Sequence, residues 1–417
     1  MTAKKNDSAK HPVQRVSGIT NSKDRREALE SVVRAFTNMH METHMLRSLW
    51  HGTFGDPEHT RIAVADGRVV SAVVMGRRMI RFGSVAVPAM TIGPVGTHDC
   101  HRKQGYSFAA MNDASKYMED NGFLVAYLGG IPNYYYRYGY YPWGAGGGLE
   151  FGRDDAKKEA LPGTFRAMKR EDLPAVRRIY DKATANRTCS SVRDAELWDW
   201  LLRWGTKTWL FDNPAVITDA NKRICGYITG ERKQGFSAGE VIVRPDEPSC
   251  RAALGAFVRE ARRHEIKRVW LNIPWDDALA VFIRQYVGCE IKLHANPTGG
   301  LLMKIVDFAA LMQRLQPELA RRRQAAGGDL PKTQFTLATE IGAVGLTITR
   351  GGVEVGRPAG GARVRIPQRW LSGMLTGYHA AKDIAPRAGA SIPSRLIPVM
   401  ETLFPAGWPY VYKADSY

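Results

Sequence analysis

The sequence predicts a mixed α/β protein with two or three domains. Its 417 residues, of which 44% are hydrophobic, can bury more than one core, because a domain commonly holds about 100–200 residues. Strand patterns near the N-terminus precede a helix pattern and a further strand, which is the order of an α/β unit. A similar order recurs after residue 160, and a third pattern begins near residue 306. We therefore expect domains at residues 1–150, 160–305 and 306–417.

The first region opens with two hairpins. Runs of Val, Ile and Ala at residues 62–65 and 69–75 are separated by Asp66-Gly67, a dipeptide typical of two-residue turns. A second turn at residues 82–83 leads into an apolar run that continues to residue 98. These patterns predict an antiparallel meander.

A helix and a returning strand complete the first region. Helical spacing predicts a helix over residues 102–120, with Asn121-Gly122 as its stop. Residues 123–128 read as a buried strand. The residues expected on the buried face of the helix are Phe108, Met111, Ala114 and Met118.

The second region repeats this order, although no sequence repeat is detectable. A glycine-rich stretch at residues 144–148 and a charged run at 153–159 mark its boundary. Asp172 precedes an amphipathic helix that carries Val176, Ile179 and Tyr180. The further expected strands are 208–211, 215–218, 224–230, 240–243 and 268–273, and the further expected helices are 251–264 and 277–287.

The third region predicts an α+β domain. A helix with Leu311, Leu315 and Leu319 on one face precedes short strands rich in Gly and Thr, and residues 369–383 look helical. The chain closes with an aromatic tail at residues 408–412.

Composition excludes several classes of protein. No stretch approaches the roughly 18 consecutive apolar residues of a membrane span, and the polar first 24 residues lack the core of a signal peptide. We therefore expect a cytoplasmic protein that makes no membrane contact. The five cysteines form no C-x-x-C pair and no histidine lies in an H-E-x-x-H motif, so neither disulfides nor a metal site is expected.

The formal net charge of +18 raises the possibility of a nucleic-acid partner. Basic residues are spread along the whole chain, however, and form no tail or single stripe. We therefore expect no nucleic-acid partner, and an anionic cofactor fits the charge better.

Candidate cofactor-binding residues lie between the last strand of the meander and the helix that follows it. A helix N-terminus carries partial positive charge and unpaired N–H groups, so it can hold a pyrophosphate where a glycine lets the backbone approach. Gly105 provides that approach, and Arg102 and Lys103 add charge; a plain basic helix start is the alternative. The candidate cofactor-binding residues are Val95, Thr97, Arg102, Lys103, Gln104, Gly105, Tyr106 and Ser107.

Two motifs carry a family resemblance. The string R-x-x-G-x-S at residues 102–107 resembles the acetyl-CoA loop of GNAT acetyltransferases, with Ser107 at the last small position. Residues 131–142, which read IPNYYYRYGYYP, resemble the Y-x-R-F-G-Y-x-P motif of the Eis (enhanced intracellular survival) branch. This resemblance implies a catalytic GNAT domain, a second, degenerate GNAT-like domain and a sterol-carrier-protein-like third domain.

The resemblance also implies a mechanism. A substrate amine attacks acetyl-CoA directly, Tyr135 protonates the departing thiolate, and the terminal carboxylate of Tyr417 acts as the base. Tyr134 is the alternative acid if the register of the motif differs by one. Strands at residues 90–96 and 123–128 are implied to hold the pantetheine arm.

The acceptor and the assembly follow from resemblance alone. It implies a small-molecule amine, aminoglycoside-like or polyamine, and a homo-oligomer, with hexamers usual in the family. Only the first domain is expected to bind CoA, because the equivalent turn at residues 243–249 carries two prolines and two carboxylates. The alternatives are a lipid-binding protein with vestigial GNAT domains and a protein-lysine acetyltransferase.

Overall fold

The computed structural model describes residues 12–36, 57–327, 332–358 and 360–416. The chain divides into two compact units. The first comprises Met1–Arg77 and Thr91–Asn121, and the second comprises Arg78–Met90 and Gly122–Tyr417. The three domains expected from the sequence remain a prediction.

The first unit contains an antiparallel meander with two helices. Its elements are β1 (Arg15–Gly18), α1 (Ser22–Ala35), β2 (Arg61–Ala65), the start of β3 (Arg68–Phe82), the end of β4 (Val85–Thr97) and α2 (Tyr106–Asp120). β2 pairs antiparallel with both β1 and β3. Asp66 and Gly67, between β2 and β3, have φ angles of 50° and 69°, so the predicted tight turn is confirmed.

Helix α2 begins at Tyr106, and the predicted start at residue 102 is wrong. Lys103 and Gly105 have φ angles of 62° and 90°, which interrupt right-handed helical geometry before that point. Phe108 is 50% exposed, so its predicted place on the buried face is also wrong. Met111, Ala114 and Met118 are buried as predicted, and Tyr106 joins them.

The second unit begins with the end of β3 and the start of β4. Its further strands are β5 (Val125–Gly130), β6 (Tyr141–Pro142), β7 (Gly146–Gly152), β8 (Gly163–Ala167), β9 (Ala215–Asp219), β10 (Ile224–Glu231), β11 (Phe236–Val243), β12 (Arg268–Leu271), β13 (Glu290–His294), β14 (Gly300–Ile305), β15 (Thr333–Thr339), β16 (Gly342–Ile348), β17 (Val353–Gly356) and β18 (Ala362–Arg365). Its helices are α3 (Arg153–Ala156), α4 (Leu173–Thr184), α5 (Ala195–Arg203), α6 (Glu247–Arg263), α7 (Ala278–Tyr286), α8 (Phe308–Ala325), α9 (Gln368–Thr376), α10 (Ala381–Ile384) and α11 (Ile397–Leu403).

Strand β14 joins the early part of the chain to the late part. It pairs antiparallel with β5 and with β6 in one sheet. A second sheet has the order β13-β7-β12-β11-β10-β9-β8. Thus β7 belongs to the second sheet, whereas β14, which follows that sheet in sequence, returns to β5.

The predicted strand at residues 208–211 is wrong, since bends occupy this segment. Thr208 Oγ1 donates to the Gly205 carbonyl at 2.7 Å and accepts from the Leu210 N–H at 3.1 Å. Such local bonds between a side chain and the backbone favour a turn over a strand ladder.

The third sheet has the order β17-β16-β15-β18 and packs with α8 and the later helices. Gly377, with a φ angle of 88°, ends α9, so the helix predicted over residues 369–383 is two helices. Leu311, Leu315 and Leu319 of α8 are buried as predicted, in a core that also contains Val125 of β5. Among the described residues, none of the helices combines the length and apolar character that a membrane crossing needs.

Candidate functional site

The loop between β4 and α2 holds the predicted cofactor-binding residues. β4 lies close to α1, since a Cβ on Gly96 would be 2.8 Å from Val32 Cα, and a larger residue would force these elements apart. After β4 the chain makes a 3₁₀ turn at Asp99–His101 and reaches Gly105 at the N-cap of α2. Glycine readily adopts the left-handed geometry found there.

The backbone at Gly105 faces open space. A Cβ on this residue would meet no atom within 4 Å. Arg102 and Lys103 are exposed, and Arg102 Nη2 donates to the Ala35 carbonyl at the end of α1 at 3.3 Å. A glycine N-cap has no side-chain oxygen, whereas Asn21 caps α1 with its own side chain. An anion can therefore approach the amide end of α2 beside two cationic side chains.

The other predicted loop residues have different surroundings. Thr97 Oγ1 is 2.9 Å from Ser71 Oγ, while Val95 and Ser107 are half-buried. Tyr106 is buried, and its hydroxyl donates to Gln104 Oε1 at 3.4 Å. Tyr106 therefore packs beneath the loop, and a cofactor role for these side chains remains a prediction.

His98, Asp99 and Cys100 form a small cluster beside this loop, with their possible ligand atoms within 4.8 Å of one another. The Cys100 N–H donates to Asp99 Oδ1 and lowers the pKa of that carboxyl group. Asp99 and Cys100 are exposed. Exposed acidic groups such as Asp99 are common in places where no metal binds. Asp99 is thus a carboxylate at neutral pH.

Tyr135, the candidate general acid, opens a 3₁₀ turn at Tyr135–Tyr138 and is 9% exposed. Its ring lies against the end of β5, where a Cβ on Gly130 would be 2.8 Å from Tyr135 Cδ2. Burial raises the pKa of Tyr135 above its ordinary value. The phenol therefore keeps its proton at neutral pH, as a proton donor must.

Tyr134, the alternative acid, has a different environment. Its ring is half-buried and lies 5.0 Å from the Arg137 guanidinium, which also donates to the Tyr134 carbonyl at 3.1 Å. The Tyr134 and Tyr135 ring centroids are 4.9 Å apart. Tyr134 thus contacts Arg137 of the motif, whereas Tyr135 packs against β5.

The C-terminal tail returns to β5. Tyr410 and Tyr412 of the aromatic tail are buried. Tyr127 of β5 donates its hydroxyl proton to the backbone carbonyl of Asp415 at 3.1 Å. Tyr417, the candidate base, lies outside the described residues.

A buried ion cluster, which no pattern in the sequence indicated, holds the same tail. Arg193 donates to both carboxylate oxygens of Glu240 at 2.8 Å and to Asp415 at 2.8–3.1 Å. These three side chains have no exposed surface. No local motif signals the cluster, because its members are far apart in the sequence.

The equivalent turn of the second region carries a carboxylate cap. Asp246 caps α6 and accepts from the Ser249 N–H at 2.9 Å. Arg244 donates to the Ile224 carbonyl. A carboxylate therefore occupies the end of α6 that corresponds to the glycine end of α2.

Residues 19–143 match the family model of the acetyltransferase (GNAT) domain. No curated protein matches the chain significantly. A probable N-acyltransferase from Enterococcus faecalis V583 is similar in structure, with a TM-score of 0.76 and 15% identity over 97% of this chain and 99% of that chain. At this identity the likeness shows the fold.

Two further solved structures share the fold. A GCN5-related N-acetyltransferase from Anabaena variabilis ATCC 29413 has a TM-score of 0.74 at 14% identity, and Eis1 from Mycobacterium abscessus has 0.65 at 16%. Each alignment covers 97% of this chain and 100% of the other. The predicted α/β fold of GNAT type is therefore confirmed, and residues 19–143 are the part of the chain that matches the acetyltransferase (GNAT) domain.

Proposed function

We propose that the protein is an acetyl-CoA-dependent N-acetyltransferase that acts on a primary amine of a small molecule, such as an aminoglycoside or a polyamine. The observation that carries this proposal is Gly105, which opens the N-terminus of α2 to an anion within a region that matches the GNAT domain. Acetyl-CoA, a co-substrate that carries a pyrophosphate, fits such a helix end.

The loop at residues 102–107 binds the pyrophosphate of acetyl-CoA. Arg102 and Lys103 supply positive charge. Gly105 adopts a left-handed backbone and has no side chain that could block the approach of the pyrophosphate. A chain with one such loop should therefore bind one CoA molecule. The capped and carboxylate-bearing end of α6 supports one donor site per chain.

Tyr135 acts as the general acid. The amine nitrogen attacks the thioester carbonyl, the C–S bond breaks, and the CoA thiolate takes the proton of the Tyr135 hydroxyl. The position of Tyr135 in the motif, with its ring packed against Gly130 of β5, supports this role, and the phenol is protonated at neutral pH, as a proton donor must be.

The carboxylate of Tyr417, the last residue of the sequence, takes the proton that the attacking amine loses. Both groups return to their starting states by proton exchange with water, so the products are the acetamide and CoA. The bond from Tyr127 to the carbonyl of Asp415 supports this role, because Asp415 is two residues from Tyr417.

A CoA-release screen tests the proposal. The panel contains aminoglycosides, polyamines, arylamines and lysine peptides, each with acetyl-CoA and the full-length chain. We expect CoA release with a small primary amine and an acetylated product by mass spectrometry. Acetylation of lysine peptides alone would favour a protein-lysine acetyltransferase, and CoA release with none of the amines would contradict the proposal.

A further inference from the structure

A cleft of about 390 Å³ lies within the second unit and contains none of the residues given a catalytic or cofactor role above. Its lining comes from the end of α4, the segment before α7, the second half of α8, the end of α9 and residues 405–409. Pockets that hold small molecules commonly have volumes of about 300–1,000 Å³. The cleft is therefore large enough for a small organic ligand.

The charged side chains that line the cleft carry an excess of positive charge. They are four cations and two carboxylates, namely Lys182, Arg187, Arg321, Arg322, Asp276 and Glu318. A phosphate monoester carries a charge of about −1.5 to −2 at neutral pH, which matches this excess. A single carboxylate group would neutralise only half of it.

Glu318 holds two of the arginines in place. Arg321 donates to it through Nε and Nη2 at 2.8 and 2.7 Å. Arg322 donates through Nε to Glu318 at 2.7 Å and through Nη1 to the Leu403 carbonyl at 2.8 Å. Arg321 Nη1 and Arg322 Nη2 make no hydrogen bond with any described residue. Each guanidinium group thus keeps one terminal nitrogen for a ligand.

Arg187 is the third guanidinium group of the cleft, and its side chain is only 11% exposed. Its Nη1 donates to Asp276 at 2.7 Å and lies 3.4 Å from the Trp408 carbonyl. Its Nε is buried and has no hydrogen-bond partner within the described part of the chain. Because a buried donor without a partner is costly, the protein leaves this cation incompletely satisfied. A bound anion would compensate part of its charge.

Lys182 and Trp408 add a free charge and an apolar wall to the cleft. Lys182 is exposed and forms no ion pair or hydrogen bond with the residues that the structure describes. The half-buried Trp408 packs edge-on against Trp275, with ring centroids 5.6 Å apart. An indole ring in a cleft wall favours a ligand that carries a ring of its own.

We propose that this cleft binds a small organic phosphate monoester, with its phosphate on the three arginines and Lys182 and its ring beside Trp408. The planar guanidinium fork matches the oxygens of a phosphate group, and here three such groups are already held in position. None of the lining residues belongs to the loop at residues 102–107. The inference therefore does not depend on the proposed function.

Calorimetric titration of phenyl phosphate into the full chain, in a buffer free of phosphate and sulfate, tests the inference. We expect saturable binding by the parent and binding at least about tenfold weaker by Arg321→Gln, because a hydrogen bond to a charged group commonly contributes this much. Arg314→Gln is the matched control. Arg314 is an exposed arginine two turns earlier on α8, bonds the Ala86 carbonyl at 2.9 Å and does not line the cleft. It should bind phenyl phosphate as the parent does.

Lys182→Gln covers the case in which Arg321→Gln, which also loses the contact with Glu318, does not fold. We expect this variant to bind phenyl phosphate severalfold more weakly with an unchanged Tm, because Lys182 has no partner among the described residues. Trp408→Leu should weaken the binding of phenyl phosphate but not that of inorganic phosphate. Parental affinity in Lys182→Gln and in a folded Arg321→Gln would overturn the inference.

Two further titrations separate this cleft from other anion sites. Gly105→Leu should bind phenyl phosphate as the parent does, whereas a loss in this variant beside parental binding in Arg321→Gln would move the site to the loop at residues 102–107. Benzoate, which has one negative charge, should bind more weakly than phenyl phosphate. Equal affinity for the two ligands, or no binding of phenyl phosphate by the parent, would overturn the assignment of a phosphate site.

Discussion

At the scale of single residues, Tyr135 differs from its neighbours in its surroundings. It shares its residue type with both neighbours, yet of the three only Tyr135 is buried. That burial raises the pKa of the phenol and keeps it protonated. Sequence could name the motif, but the packing against Gly130 distinguishes Tyr135 from Tyr134.

Replacement of Tyr135 by Phe should lower kcat by about 10²-fold or more while the Kd of acetyl-CoA stays unchanged, because the variant loses only the proton donor. Steady-state kinetics and calorimetry measure these two quantities. Tyr134→Phe is the matched control and should remain active. An inactive Tyr134→Phe beside a fully active Tyr135→Phe would move the role to Tyr134.

At the scale of elements, the two helices α2 and α6 begin in contrasting ways. α2 starts at a glycine in the left-handed region, and α6 starts at Asp246, whose side chain bonds the Ser249 N–H. The sequence distinguished the two turns by their residues, with Gly105 in one and two prolines and two carboxylates in the other, but it placed the start of α6 at residue 251 instead of Glu247. It misplaced the start of α2 because the left-handed backbone at Lys103 has no sequence signature.

Asp246→Ala should destabilise the protein by about 1 kcal/mol, since it removes the cap of α6. Chemical denaturation measures this change. Binding of acetyl-CoA should be unaffected, because the donor is assigned to the loop before α2. Weaker donor binding in this variant would show that the second region contributes to the donor site.

Helix α8 carries an acid-sensitive contact. Burial opposes ionisation of Glu318, but hydrogen bonds from Arg321 and Ser84 outweigh it and lower the pKa to about 2 from 4.5. A carboxyl group with a lowered pKa in the folded state stabilises the protein above its ordinary pKa, and this stabilisation is lost as the pH falls from 4.5 towards 2.

Glu318→Gln should therefore have a flatter decline of the free energy of unfolding between neutral pH and about 3 than the parent. Urea denaturation at several pH values measures both curves. At neutral pH the variant should be less stable, since Arg321 and Arg322 lose a charged partner. Parallel curves for the two proteins would contradict the assignment.

At the scale of the whole molecule, the sequence could not predict which distant segments of the chain pair with one another. The Asp66-Gly67 turn and the apolar face of α8 were predictable, because their signals are local. The pairing of β14 with β5 was not, since no local pattern tells a strand which distant strand it joins. The cluster that holds the tail through Arg193 depends on such distant pairing as well.

Extension of the chain beyond Tyr417 should abolish turnover and leave folding and acetyl-CoA binding intact. The added residue moves the negative charge by several ångström, whereas a general base must lie within about 3 Å of the proton that it takes. Tyr417→Phe should be mild, because the carboxylate remains. Full turnover by a C-terminally extended chain would refute the terminal base and make His98 the next candidate.

A calorimetric titration of acetyl-CoA into three forms of the full chain tests the central claim most directly. The parent should bind one molecule per chain, and Gly105→Leu should lose binding because its side chain enters the space assigned to the pyrophosphate. Gly122→Leu is the matched control, since Gly122 has a φ angle of 72° and equally open surroundings at the other end of α2. It should bind as the parent does. Two sites per chain, no binding by the parent, or undiminished binding by Gly105→Leu would contradict a donor site at the start of α2.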